Sequence, residues 1–149
     1  MLNPPEAGLF DSKNDLLTYC NSIAREEGYC VNILRSVGQK KIWIQCDKGG
    51  SIPDTTIERQ RNITSRKTGC PFKLYASLLK DNKWHLSIRN PNHNHPPSPH
   101  VSVHPQHRRL TEEQYSEINR LTESGVGPKE IIATLQQADG DAVIIRKDI

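Results

Sequence analysis

The chain has 149 residues, which allows one ordinary domain or two small ones. A hydrophobic share of 34% with only 8 Phe, Trp and Tyr residues is lean for a single packed core of that size, and no run approaches the roughly 18 apolar residues of a membrane helix. The net charge of +3 hides an asymmetry: residues 29–109 hold 14 Lys/Arg against 4 Asp/Glu, so the basic excess lies in the middle of the chain and points to a polyanion, most often nucleic acid.

Residues 1–10, with Pro4, Pro5 and Gly8, read as a flexible lead-in without the basic and apolar regions of a secretory signal. Next comes a helix, capped by Asp11 or Ser12. Leu16, Leu17, Cys20, Ile23 and Ala24 fall on one face, and Gly28 stops it. Cys20 is therefore expected in the core, as a small hydrophobe. Alternation at Tyr29, Val31 and Ile33 predicts a first strand, Gly38-Gln39 a turn, and Ile42, Ile44 and Cys46 a second strand paired with the first. Residues 47–69 are apolar-poor and rich in Gly, Ser and Thr, and read as a long loop with a basic second half. Phe72, Leu74, Ala76 and Leu78 predict a third strand. Trp84, Leu86 and Ile88 predict a fourth, after a turn at Asp81-Asn82. The opposite faces of these two carry Lys73, Tyr75 and Ser77, then His85, Ser87 and Arg89, as in an antiparallel sheet wet on one side. Residues 97–109 hold Pro and His in a pattern that reads as a stiff linker. Thr111-x-x-Gln114 opens a helix with Tyr115, Ile118, Leu121 and Thr122 in a stripe. Gly125 breaks it, and Pro128 starts a second helix with Ile131, Ile132 and Leu135. This hairpin of 110–138 reads equally as packing on its own chain or as a homodimer contact. Residues 139–149 read as a tail cut short.

The chemistry concentrates between Cys46 and His95. Cys46-Asp47-Lys48-Gly49-Gly50, Thr68-Gly69-Cys70-Pro71-Phe72 and His93-Asn94-His95-Pro96 give the spacing Cys-x23-Cys-x22-His-x-His. Two thiolates and two imidazoles make a full tetrahedral set for zinc with no open position, which holds a fold together and does not catalyse. The four cysteines could form two disulfides instead, but the nearby His-x-His pair favours metal. The contiguous His93-Asn94-His95 is no sign of a nuclease, whose named letters are spread over a larger unit. No catalytic residue is assigned, and the chain is read as a non-enzyme.

These motifs resemble the zinc DNA-binding domain of the far-red-impaired-response family, within the WRKY–GCM superfamily, over about residues 9–96. That domain occurs in plant transcription regulators and at the N-terminus of Mutator-like transposases, including fungal ones. The stretch from Arg109 to Ile149 is similar to the segment C-terminal to that domain in the fungal transposases. The resemblance implies an α+β fold: an N-terminal helix, a four-stranded antiparallel sheet stapled at one end by Zn2+ on Cys46, Cys70, His93 and His95, over residues 11–96, then the helical hairpin. It also implies a nuclear protein, with duplex DNA as partner and neither membrane nor small-molecule substrate. Gly38-Gln39-Lys40 echoes the Gly-Gln-Lys of the WRKY signature, but Ser36-Val37 stands where its other residues should be.

The expected DNA contacts fall into two groups. Arg35, Gln39, Lys40 and Lys41 surround the Gly38 turn, where Arg and Lys suit guanine and Gln suits adenine. Arg59, Arg61, Arg66 and Lys67 in the long loop, with Lys73 on the third strand, suit phosphates. The alternatives are a protein-interaction or dimerisation module, and an RNA-binding zinc domain stacking bases on Trp43, Tyr75 and His85.

Overall fold

The computed structural model describes residues 2–51 and 65–149. They form two compact units, Met1–Ser98 and Pro99–Ile149. In the first, the elements run β1 (Gly8–Phe10), α1 (Lys13–Glu27), β2 (Val31–Val37), β3 (Lys41–Cys46), β4 (Lys73–Leu78) and β5 (Trp84–Asn90). All strands join one antiparallel sheet in the order β1-β5-β4-β3-β2.

The sheet has five strands rather than the expected four. The addition is β1, which lies in the expected flexible lead-in and pairs Gly8 with Leu86 and Phe10 with Trp84. Its 3 residues are too short to show a period of two, so only tertiary contact reveals it. The rest of the lead-in is tied down too. Leu2 is buried, the Asn3 amide and side chain donate to the Glu27 carboxylate at 3.0 and 3.1 Å, and the Tyr29 hydroxyl donates to the Asn3 carbonyl.

α1 starts at Ser12, whose hydroxyl accepts from the Asp15 amide at 3.1 Å, and ends at Gly28. Its buried stripe is Leu16, Cys20 and Ala24, spaced by four, with Leu17 partly buried beside it. The stripe covers the sheet face made by Ile42, Ile44, Leu74, Ala76, Trp84 and Leu86. Burying a Leu or Ile side chain stabilises by roughly 1.5–3 kcal/mol, and this layer buries Leu16, Ile42, Ile44, Leu74 and Leu86 together. Cys20 lies in it fully buried, as expected, and burial pushes its thiol up to about 12. The three-residue β2–β3 turn, residues 38–40, is closed by the Lys40 amide donating to the Val37 carbonyl at 3.1 Å and holds Gly38 and Gln39 at φ of 57° and 53°, both left-handed, as a turn twisting with its strands requires.

In the second unit, α2 (Glu112–Glu123) carries the reciprocal Thr111–Gln114 capping box, and α3 (Pro128–Ala138) comes after the Gly125 turn. Ile118, Ile131, Leu135 and Ile144 form its small core, whereas Tyr115, expected in the stripe, is exposed. Within the stretch expected to be a linker, residues 101–103 and 105–108 form short 3-10 turns. Arg108 bonds Asp148 at 3.2 Å. No helix among the described residues is long and apolar enough to cross a membrane.

Candidate metal centre and nucleic-acid interface

Cys46 is the last residue of β3, and its backbone turns back at once: the Gly49 amide donates to the Cys46 carbonyl at 2.8 Å. The Thr68 and Cys70 amides both donate to the Lys48 carbonyl, at 2.9 and 3.2 Å, which lays the second cysteine segment against the first. A Cβ on Gly49 would stand 3.0 Å from the Cys46 carbonyl oxygen and 3.2 Å from that of Cys70, so the two segments meet closely only because residue 49 has no side chain. The histidines come from the segment beyond β5. Asn94, between them, donates from Nδ2 to the Thr68 carbonyl at 2.8 Å and accepts from the Thr68 hydroxyl at 2.7 Å. This double link fastens the His-x-His segment to the Thr-Gly-Cys segment.

The donor atoms of Cys46, Cys70, His93 and His95 all lie within 4.8 Å of one another. Cys46 Sγ is 3.2 Å from His95 Nε2, Cys70 Sγ is 3.4 Å from His93 Nδ1, and the two histidine nitrogens are 3.3 Å apart. A tetrahedron with Zn–S bonds of about 2.3 Å and Zn–N bonds of about 2.05 Å has S···N edges of about 3.6 Å and N···N edges of about 3.3 Å. The donor set and its spacing therefore fit a four-coordinate zinc ion. His95 Nδ1 sits 3.0 Å from the Pro96 carbonyl, a partner that keeps the proton on Nδ1 and the Nε2 lone pair turned to the cluster. The His93 ring stacks on Phe72 at 4.2 Å and tilts against Tyr29 at 4.5 Å. Burial first, and then the neighbouring His95, lower its pKa to about 4, so the ring is neutral and able to ligate at physiological pH. Burial likewise drives the Cys46 thiol upward, a cost to the thiolate that a cation among these donors would offset.

The metal residues expected from the spacing are thus brought together. Thr68, Asn94 and Phe72 stand in the motifs that carry the resemblance, but their supporting contacts are not legible in the sequence, because those depend on which segments the fold lays side by side. Disulfides do not form: all four cysteines are free.

Arg35, Gln39, Lys40 and Lys41 are exposed on and beside the β2–β3 turn, as expected, and Lys73 is exposed on β4. Arg66 and Lys67 are exposed; the Arg66 guanidinium stands 3.9 Å from the Asp47 carboxylate, beside Cys46. Arg59 and Arg61 lie outside the described residues.

The sheet face opposite α1 carries a stripe across four strands. Arg35 pairs with Trp43, Trp43 with Tyr75, and Tyr75 with Ser87. The Arg35 guanidinium lies 5.4 Å from the Trp43 ring centre, the Trp43 and Tyr75 rings are 5.2 Å apart, and the Arg89 guanidinium lies 4.6 Å above Tyr75. β2, β3, β4 and β5 contain no Asp or Glu. β2 is also an edge strand of the sheet, with Ile33, Leu34 and Val37 exposed.

Residues 10–97 match the family described as Transcription factor AFT. The chain is 33% identical over 141 residues to the PKS-NRPS hybrid synthetase cheA of Chaetomium globosum, an overlap of 87% of this chain and 3% of that protein. It is 28% identical over 116 residues to Transcription factor RBF1 of Candida albicans, covering 60% of this chain and 22% of the relative. It is also 28% identical over 149 residues to Protein FAR1-RELATED SEQUENCE 5 of Arabidopsis thaliana, covering 90% and 19%. The chain therefore spans between 3% and 22% of the length of these curated relatives. No solved structure matches it. With the family match running from the end of β1 through both histidines, the chain belongs to the Transcription factor AFT family.

Proposed function

We propose that residues 11–96 are a zinc-dependent duplex-DNA-binding module of the far-red-impaired-response type, serving a nuclear transcription regulator or the recognition part of a Mutator-like transposase. The observation that carries this reading is the convergence of Cys46, Cys70, His93 and His95 on one point at the base of the β2–β3 hairpin. The names of two relatives, both transcription-related or of the same named type, agree with it.

Zinc, when bound, supplies a closed four-donor cross-link and no open position for chemistry. Everything else is done by the chain's own residues. Cys46 ends β3, so fixing that thiolate fixes the register of the hairpin behind it. The hairpin ends in the Gly38-Gln39 turn, whose exposed Arg35, Gln39, Lys40 and Lys41 reach base edges when the β2 edge enters the major groove. That groove is about 12 Å wide and admits a two-stranded ribbon. Arg59, Arg61, Arg66, Lys67 and Lys73 hold phosphates, which sets the register of the protein on the duplex.

The test has two parts. Metal analysis should find one zinc per chain, lost in Cys70→Ser. Binding to a duplex recovered from a randomised pool should then exceed binding to the matched single strand and to RNA of the same sequence. Replacing Gln39 and Lys40 by Ala should relax preference at particular base positions, each contributing about 1–3 kcal/mol. Equal binding to RNA and duplex, or a folded chain that takes up no zinc, would overturn this reading.

A further inference from the structure

Apart from Arg35, the Arg35–Trp43–Tyr75–Arg89 stripe takes no part in base reading at the hairpin tip. Its two aromatic rings are half-buried by each other and by the two guanidinium groups. They are not open platforms for bases. They are instead supports: a guanidinium laid on an aromatic face keeps its N–H edge free while losing much of its rotational freedom. Arg89 is the clearest case. It lies on β5, three strands behind the β2 edge, and its side chain folds back along the sheet over Tyr75 on β4. With Lys41 and Lys73 on the same face and no acid in the four strands, the face is complementary to a polyanion and to nothing acidic of its own.

The geometry points to a phosphate contact at the rim of the major groove. Neighbouring strands are about 4.8 Å apart, so β4 stands about 10 Å and β5 about 14 Å behind the leading edge of the sheet. The groove is about 8.5 Å deep. A sheet entering edge-first with β2 and β3 inside therefore leaves β4 and β5 level with the sugar-phosphate backbone. We propose that Arg89, positioned by the Tyr75 ring and joined by Lys73, clamps a backbone phosphate of the duplex whose bases the β2–β3 turn reads. This rests on the duplex-binding reading and adds to its phosphate contacts one from Arg89, three strands away from the β2 edge.

The experiment measures affinity and its salt dependence for the full chain on the selected duplex and on a scrambled one, with zinc content as the fold control. Arg89→Ala should weaken both duplexes by the same factor and reduce the log–log salt slope by about 0.9. Between about 50 and 200 mM salt the wild-type protein should then lose roughly 3.5-fold more affinity than the variant. Arg89→Lys should restore the slope. Tyr75→Leu should cost roughly 2- to 5-fold, Tyr75→Phe should restore it, and Arg89→Ala should cost less in the Tyr75→Leu background than in wild type. Wild-type duplex binding with an unchanged slope in Arg89→Ala overturns the clamp and leaves the duplex reading standing. A loss confined to the selected duplex makes Arg89 a base reader and also overturns it. Failure of the wild-type protein to bind any duplex overturns both.

Discussion

Gly49→Ala tests how the cysteine segments are held. The added methyl would meet the Cys46 carbonyl oxygen at 3.0 Å, that of Cys70 at 3.2 Å and the Gln45 side-chain oxygen at 3.2 Å. Gln45 can swing away, but the two carbonyls belong to the backbones that carry the thiols. They can yield only by parting the segments a few tenths of an ångström. Overpacking of this kind costs typically 1–3 kcal/mol. Without metal the segments relax and the cost is small, whereas four donors at fixed bond lengths oppose the relaxation, so most of the cost falls on metal affinity. At about 1.4 kcal/mol per tenfold, Gly49→Ala should weaken zinc binding by roughly 5- to 150-fold. The assay is competition against a chromophoric chelator, with Gly38→Ala as control. Residue 38 has nothing within 4 Å of an added Cβ and a φ of 57°, so that variant should lose stability through backbone strain but keep its zinc affinity. Equal zinc affinity in Gly49→Ala and wild type would refute the reasoning.

Asn94→Ala removes both bonds to Thr68 and should lower zinc affinity about 10-fold with the secondary structure intact, read by the same competition. Cys20, its thiol pushed up to about 12 by burial, should resist alkylation in the folded protein, and Cys20→Ser should destabilise by about 1–3 kcal/mol in denaturant melts while retaining zinc. The Asn3 hydrogen bonds hold the Glu27 carboxyl below its ordinary 4.5. A depressed carboxylate contributes its stability fully above that ordinary value and loses it as pH falls through the folded one. The N-terminal tether should therefore loosen only below about pH 4.5, seen as a fall in the Asn3 amide protection factor (exchange relative to the unfolded rate at the same pH) in wild type and no such step in Glu27→Gln.

The legible and the hidden parts of the fold divide along physical lines. α1 is visible in the sequence because its cap, its buried spacing of four and its Gly28 stop are all local signals. β3, β4 and β5 are visible because one face of each is buried, which forces alternation. β2 is visible too, up to the Gly38 turn, although from Ile33 on its residues are exposed and burial imprints no pattern on them. β1 is hidden because its order comes from β5, not from itself. At the site, cysteine and histidine stand out by chemistry, and their spacing around two hairpins marks the four as one set before the fold brings them together. The Thr68–Asn94 link and the Arg89–Tyr75 stack depend on which loop or strand passes nearby, which only the folded chain discloses.

The two ends of the first unit are fastened at one place. Asn3 bonds Glu27 in the last turn of α1, and the Ser98 amide donates to the Gly28 carbonyl at 2.7 Å. The chain thus enters and leaves the unit at the same corner, while the Gly38 turn lies at the far end of β2, about 23 Å off for its 7 residues. A force or a bulky neighbour on either flanking segment loads the C-terminus of α1 and bypasses the hairpin. Such a unit works like a plug with both leads on its back: it can be set into hosts of very different length without bending the Gly38 end of the hairpin. Relatives in which the matching stretch occupies anywhere from 3% to 22% of the protein are what that wiring permits.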